Sequence, residues 1–246
     1  MLPEMRSLLT HWMPGESDKA FLARVQTEDL LGKHTAQRIS DLVLRVFRPR
    51  LLAGDDRRAR WLKRYLEGHG NGALFREMML VYSARADDLL YDFTIQRFWG
   101  LVRRGDLYIT LEDALSFLGE AAEKKLIDQP WSDHVQLRIA RGLLGALEDF
   151  GLVRLNGGSR RELVNYRMSD AGLGYLVHEL HFQGITDAEA VEHPDWGLFG
   201  LDRIHTLERL EGLGPIAGLV VQRAGSVVRI TWSYTSMEAY IDAISG

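Results

Sequence analysis

Apolar residues recur three and four positions apart through most of the chain, the mark of amphipathic helices, and only a few short stretches alternate every second residue. Residues 1–12 read as a weakly amphipathic helix stopped by Pro14-Gly15. Ser17 and Asp18 offer an N-cap for a helix to about Asp29, with Phe21, Leu22, Val25 and Leu30 on one side. Leu31-Gly32-Lys33-His34 is a tight break. Thr35 then caps a helix to about Arg48, whose apolar stripe is Ile39, Leu42, Val43, Val46 and Phe47 and whose end is marked by Pro49. Asp55-Asp56 opens a helix to about Gly68, followed by a glycine-rich connector at 68–72 and two helices over 73–86 and 87–102. Tyr108-Ile109-Thr110 leads into a helix over 111–127, with Thr110 as its cap, and Asp128-Gln129-Pro130 breaks it.

The next stretch changes period. Residues 133–150 form a helix with Val135, Ile139, Leu143, Ala146, Leu147 and Phe150 along one stripe, stopped by Gly151. Two short strand-like runs follow, 152–155 and 163–168, joined through Asn156-Gly157, a strong turn signal. A helix followed by a two-stranded flap with a basic tip is the outline of a winged helix. Ser169 caps a helix through about Phe182, and short helices cover 187–192 and 199–211. Residues 218–223 and 227–232 read as a β-hairpin across Ala224-Gly225-Ser226, and Ser236 caps a last helix over 237–244. The pattern predicts a mainly α, multi-helix protein with helix-turn-helix and winged-helix units and a small α/β C-terminal piece. Three regions are expected: a helix-turn-helix-like part at 1–67, a helical part at 68–183 ending in the winged-helix-like unit, and an acidic α/β part at 184–246.

Charge sharpens this picture. The 246 residues carry a formal net charge of −4 and no cysteine, which excludes a disulfide scaffold and fits a reducing compartment. Residues 170–246 net −7, so the first 169 net +3, and residues 45–64 alone hold eight basic and two acidic side chains. A charge run usually means a solvated helix face; here it also offers a basic surface joined to an acidic end. No apolar run approaches the roughly 18 to 20 residues needed to cross a bilayer, and the first 14 residues lack the apolar core of a signal peptide. A cytoplasmic protein is expected, with no membrane partner.

Catalytic patterns are not found. His178 and His181 are three apart within a helix, but spacing supplies no third metal ligand and the H-E-x-x-H order is absent. No serine sits in a G-x-S-x-G elbow. Gly68-His69-Gly70-Asn71-Gly72 follows a helix and lacks the spacing of a phosphate-binding loop. The expectation is a non-enzyme with no cofactor and no bound metal.

Two places suit duplex DNA. The early helix pair contributes Lys33, Thr35, Gln37, Arg38 and Arg45. The later helix and flap contribute His134, Arg138 and Arg141, spaced i, i+4 and i+7, with Arg160 and Arg161 at the flap tip. The arginines and the lysine among them would neutralise phosphates and release counterions, and Gln37 could read adenine if its helix enters the major groove. The plain alternative for each arginine is a surface ion pair, for which Glu148 and Glu162 are nearby.

Several stretches in chain order carry a resemblance. They are Glu28-Asp29-Leu30-Leu31 with Thr35 and Arg38, Asp87-Asp88-Leu89-Leu90-Tyr91-Asp92-Phe93, Phe117-Leu118, Trp131-Ser132, and Leu147-Glu148-Asp149-Phe150-Gly151-Leu152-Val153. Over roughly the first 170 residues the chain resembles the BrxA family of BREX bacteriophage-exclusion systems. The resemblance implies a mostly helical protein that binds double-stranded DNA, has no known catalytic activity and acts beside other BREX proteins, including a methyltransferase and an ATPase. The family's middle is similar to an RNA-binding antitermination fold, so an RNA-binding regulator is one rival function, and an interaction scaffold within the defence complex is another. The acidic C-terminal part departs from the shorter members.

Overall fold

The computed structural model describes residues 1–32, 35–68, 70, 72–123, 131–156, 160–225 and 227–245. In chain order the first helices are α1 (Leu2–His11), α2 (Asp18–Thr27), α3 (Ala36–Ser40), α4 (Arg48–Leu51), α5 (Arg57–Glu67) and α6 (Gly72–Arg85). Next come α7 (Asp88–Asp92), α8 (Trp99–Arg104), β1 (Tyr108–Ile109), α9 (Leu111–Glu123), α10 (Asp133–Asp149), β2 (Val153–Leu155) and β3 (Arg161–Leu163). The chain closes with α11 (Asp170–Phe182), α12 (Asp187–Val191), α13 (Arg203–Leu213), β4 (Leu219–Ala224), β5 (Val227–Trp232) and α14 (Met237–Ser245). The protein is mainly α with two small antiparallel sheets, as the periodicity predicts. Two compact units share the chain: Met1–Tyr82 with Met168–His193 and Leu201–Gly246, and Ser83–Arg167 with Pro194–Gly200.

Caps form where residue type leads one to expect them. The side-chain oxygens of Ser17, Thr35 and Ser169 accept from the backbone N–H groups of Ala20, Arg38 and Gly172, and Ser236 Oγ accepts from Ala239. Thr110 and Asp113 cap α9 reciprocally: Thr110 N–H reaches Asp113 Oδ2 at 2.8 Å and Asp113 N–H reaches Thr110 Oγ1 at 3.3 Å.

Pro49 does not end its helix. Residues Asp41–Phe47 widen into π-helical turns, and the helical path runs on through α4 with Pro49 in its first turn. Proline lacks the N–H that the ladder needs, and a wide turn absorbs that missing bond without breaking the rod. A second π-helical segment, Phe93–Phe98, joins α7 to α8.

In the first unit, Met5, Leu8 and Leu9 of α1 and the following Trp12 are buried, as are Phe21, Leu42, Phe47, Leu62 and Tyr65. α14 lies on α5, fixed by Trp61 Nε1–H donating to Glu238 (2.8 Å) and by Arg64 on Asp242 (2.5 Å). The hairpin of β4 and β5 forms at the expected strands, with Leu219 opposite Trp232. α13 starts at Arg203 rather than near residue 199, because Gly200 turns at φ +68 and Asp202 supplies the cap.

In the second unit, β1, β2 and β3 make one antiparallel sheet in the order β1-β3-β2. Two corrections to the sequence reading follow. Tyr108 and Ile109 pair with Glu162 and Arg161 as a third strand. The last strand is Arg161–Leu163, not 163–168. Its partner explains the shift: the turn at Gly151 (φ +77) leaves only Leu152 onward for pairing, Val153 lies opposite Leu163, and Val164 N–H meets Leu152 O as the final bond.

Candidate nucleic-acid interface

The early helix pair holds its candidate residues in three different states. Thr35 is occupied as the cap of α3. Asp41 takes both Gln37, whose Nε2–H donates to Oδ1 (3.2 Å), and Arg45 (3.4 Å), although Arg45 stays 80% exposed. Arg38 is exposed and makes no ion pair with a described residue. Lys33 lies outside the described residues.

The basic run at 45–64 is compensated from within its own unit. Arg48 pairs with Asp18, Arg57 with Asp55, Arg60 with Asp56 and Arg64 with Asp242. Lys63 donates to the carbonyls of Thr10 and Trp12, Arg50 reaches the sulfur of Met1, and the Arg58 guanidinium sits over the Tyr82 ring. Hydrogen bonds from Arg57 and Arg64 hold Asp55 and Asp242 below the usual carboxylate range. The largest concentration of positive charge in the sequence is therefore mostly an internal ion-pair network.

α10 differs. Its buried residues are Ala140, Leu143, Leu144 and Leu147, a stripe rotated from the expected one, with Val135 and Ile139 only half-buried. Rotation sets the opposite face: His134, Arg138, Arg141 and Gly142 are exposed together. Neither arginine makes an ion pair with a described residue. Arg161 of β3 pairs with Glu148 near the end of α10 (3.3 Å), the surface ion pair that the sequence already offered. Arg160 is exposed and makes no ion pair with a described residue; residues 157–159 of the flap tip lie outside the described residues. The candidates thus fall in both units; of the four candidate arginines without an ion pair to a described residue, Arg138 and Arg141 lie together on α10, whereas Arg38 and Arg160 stand apart from them.

A family model for BrxA matches residues 1–178. The chain belongs to the BrxA family. Membership implies a component of a BREX phage-defence system. No curated protein and no solved structure matches the chain.

The BrxA-family match covers α1 to α10, the three-stranded sheet and most of α11, so both candidate places lie inside it. Two further residues on the α10 face escaped the sequence reading. Gly142 and Gly145 sit in the interior of a 17-residue helix, and a Cβ at either would meet nothing within 4 Å. Glycine inside a helix costs roughly 1 kcal/mol against alanine, so two of them beside the arginines were a legible signal.

His178 and His181 have a different setting from a metal pair. His178 is fully buried and stacks on Tyr240 at 3.8 Å between ring centroids, and His181 stacks on Trp232 at 4.1 Å. Among the described residues no group of three or more His, Asp or Glu side chains is arranged to hold a metal ion. Nor is any described helix long and apolar enough to cross a membrane.

Proposed function

We propose that this BrxA-family chain is a non-catalytic, cytoplasmic double-stranded DNA-binding component of its BREX system, with weak sequence specificity. The observation that carries the reading is the outward face of α10, where Arg138 and Arg141 are exposed without an ion-pair partner beside His134 and Gly142. The unit's order of elements supports it: helix, strand, two helices, then two strands, with the early strand on the outer side of the last. That is the connectivity of a winged helix, in which α10 is the helix that enters the major groove and β2 and β3 carry the wing with Arg160. Phosphate contacts from arginine give salt-dependent binding with little base discrimination. Arg38 of α3 is a second, weaker contact, and Gln37 is held back from base readout by Asp41. Family membership also supports association with other BREX proteins.

The experiment is a band-shift series on duplex DNA over rising salt, with Arg138→Ala/Arg141→Ala, Arg160→Ala and Arg38→Ala variants. Loss of both α10 arginines is expected to lower the slope of log K against log salt by about 2, close to one per phosphate contact. Affinity near 0.1 M salt should fall by roughly ten- to a hundredfold. Absence of binding by the wild type at low salt, or an unchanged slope in the double variant, would remove α10 from the interface. Preference for structured RNA over duplex DNA in competition would replace DNA with RNA as the ligand.

The α10 glycines allow a second check. Gly142→Ala and Gly145→Ala should each stabilise the helix by roughly 0.5–1 kcal/mol, because neither Cβ meets an obstacle. The same Cβ atoms would hold a phosphate backbone away from the helix, so DNA affinity should fall as melting temperature rises. Calorimetry and fluorescence anisotropy measure the two. A stability gain with unchanged DNA affinity would mean that the glycines do not face the duplex.

A further inference from the structure

The second unit contains a cavity of about 620 Å³ whose lining has the opposite electrostatic sign to the α10 arginines. Its walls come from α7, the following π-helical segment, α9 and Trp131. Three rings face it: Phe117, which is buried, and Tyr91 and Trp131, which are half-buried. Asp87, Asp88, Asp92 and Glu120 contribute carboxyl groups, Asp87 being occupied as the cap of α7, and no lysine or arginine is among the described lining residues. Asp88, Asp92 and Gln96 are spaced by four, which sets them along one face as the helix passes into its wide turns. Glu120 is paired with Arg97, whereas Asp88 and Asp92 make no ion pair with a described residue. The Tyr91 hydroxyl is buried without a hydrogen-bond partner.

We propose that this cavity binds an organic cation of the amine or guanidinium class, caged by the rings of Tyr91, Phe117 and Trp131 and neutralised by Asp88 and Asp92. Aromatic faces attract cations, and carboxyl groups at the rim supply the counter-charge. A nucleic acid or any other anion is repelled by the same rim. A neutral apolar ligand would strip water from the carboxyl groups and return nothing for it. An inorganic cation is a poorer fit, because hard metals take converging oxygens and the described residues offer no such group of three acidic or histidine side chains. The volume lies within the roughly 300–1,000 Å³ typical of small-molecule sites, enough for a cationic head with its carbon stem. The cation can be a free polyamine or an arginine side chain presented by a peptide; both have the chemistry that the cavity recognises.

Isothermal titration of the full chain at low salt separates these sources. One arm uses spermidine and the other N-acetyl-arginine amide, each against wild type and Asp88→Asn/Asp92→Asn, with folding of the variant checked by its melting curve. Saturable one-to-one binding of either probe, weakened about tenfold or more in the double variant, is expected, since two partly exposed ion pairs are lost. The probe that binds more tightly identifies the source. Three results would overturn the proposal: neither probe binds saturably, the double variant binds as the wild type does, or magnesium chloride, compared with sodium chloride at equal ionic strength, abolishes the binding of the probe. The last would mean that diffuse negative charge, not an aromatic cage, holds the cation.

Discussion

Replacing Glu77 by alanine is expected to cost the first unit about 3 kcal/mol. Glu77 is only 2% exposed and projects from α6 to the start of α11. One carboxyl oxygen accepts from the backbone N–H of Ser169 at 2.7 Å and the other from its hydroxyl at 2.6 Å. The same hydroxyl oxygen accepts from Gly172 N–H at 3.0 Å, so the carboxyl group orients the cap of α11 as well as bonding to it. Alanine leaves the half-buried Ser169 donors without the carboxyl group, opens a cavity, and removes a negative group suited to the positive end of a helix. Glutamine keeps the volume and one acceptor and should cost less than half as much. Urea denaturation followed by circular dichroism gives both numbers. A loss below about 1 kcal/mol in Glu77→Ala would mean that water replaces the carboxyl group at the cap. Gly172 is bound to the same junction: a Cβ there would come within 2.0 Å of Glu77 Oε2, so Gly172→Ala should show a loss of similar size.

The helices and their caps were legible in the sequence because both are local. A 3.6-residue period and a Ser, Thr or Asp one position ahead of it specify a helix and its start, and Ser17, Thr35, Thr110, Ser169 and Ser236 all behave accordingly. The hairpin of β4 and β5 was legible for the same reason, with alternation on both sides of a glycine turn. What escaped is non-local. Nothing in the basic run at 45–64 announces that Arg64 meets Asp242, or that Trp61 meets Glu238, each more than 170 residues away. Positive charge that looks available in one dimension is already compensated in three. Tyr108 and Ile109 make too short a strand to show a period, and only pairing with β3 defines them. The wide turns at 41–47 and 93–98 were not read from the apolar period, which a single widened turn does not interrupt; only Pro49, after the first of them, gave a local sign. For the candidate interface, the spacing of His134, Arg138 and Arg141 was readable. The contrast between the unpaired Arg138 and Arg141 and the neutralised run needed the structure.

Stability of the first unit is expected to fall as pH drops from about 6.5 towards 4, with His178 as the cause. Its Nδ1 lies 2.8 Å from the carbonyl oxygen of Gly174, its ring lies flat on Tyr240, and Trp232 and Tyr234 meet it edge-on. Burial pushes its pKa down to about 4, the neighbouring His181 acts in the same direction, and hydrogen bonding to the backbone at Gly174 and Gly218 opposes them only in part. The unfolded chain has the ordinary value of about 6.5. Above 6.5 the ring is neutral in both states and its lowered pKa costs nothing. Below 6.5 the unfolded chain takes up the proton first, so stability falls by about 1.4 kcal/mol per pH unit until the folded ring titrates near 4, a loss on the order of 3 kcal/mol. His181, also lowered by burial, adds a smaller loss in the same window. Paired carboxylates act lower: Glu16, held down by its hydrogen bond from Arg24, loses its contribution only below its ordinary value of 4.5. The two effects therefore occupy different pH ranges. Phenylalanine fills the ring's place among Tyr240, Trp232 and Tyr234 without a titrating group, so His178→Phe should flatten the dependence of melting temperature on pH between 6.5 and 4.5. Calorimetry across that range makes the comparison. A His178→Phe variant that loses stability on acidification as steeply as the wild type would show that other groups, and not this buried ring, set the acid sensitivity of the C-terminal packing.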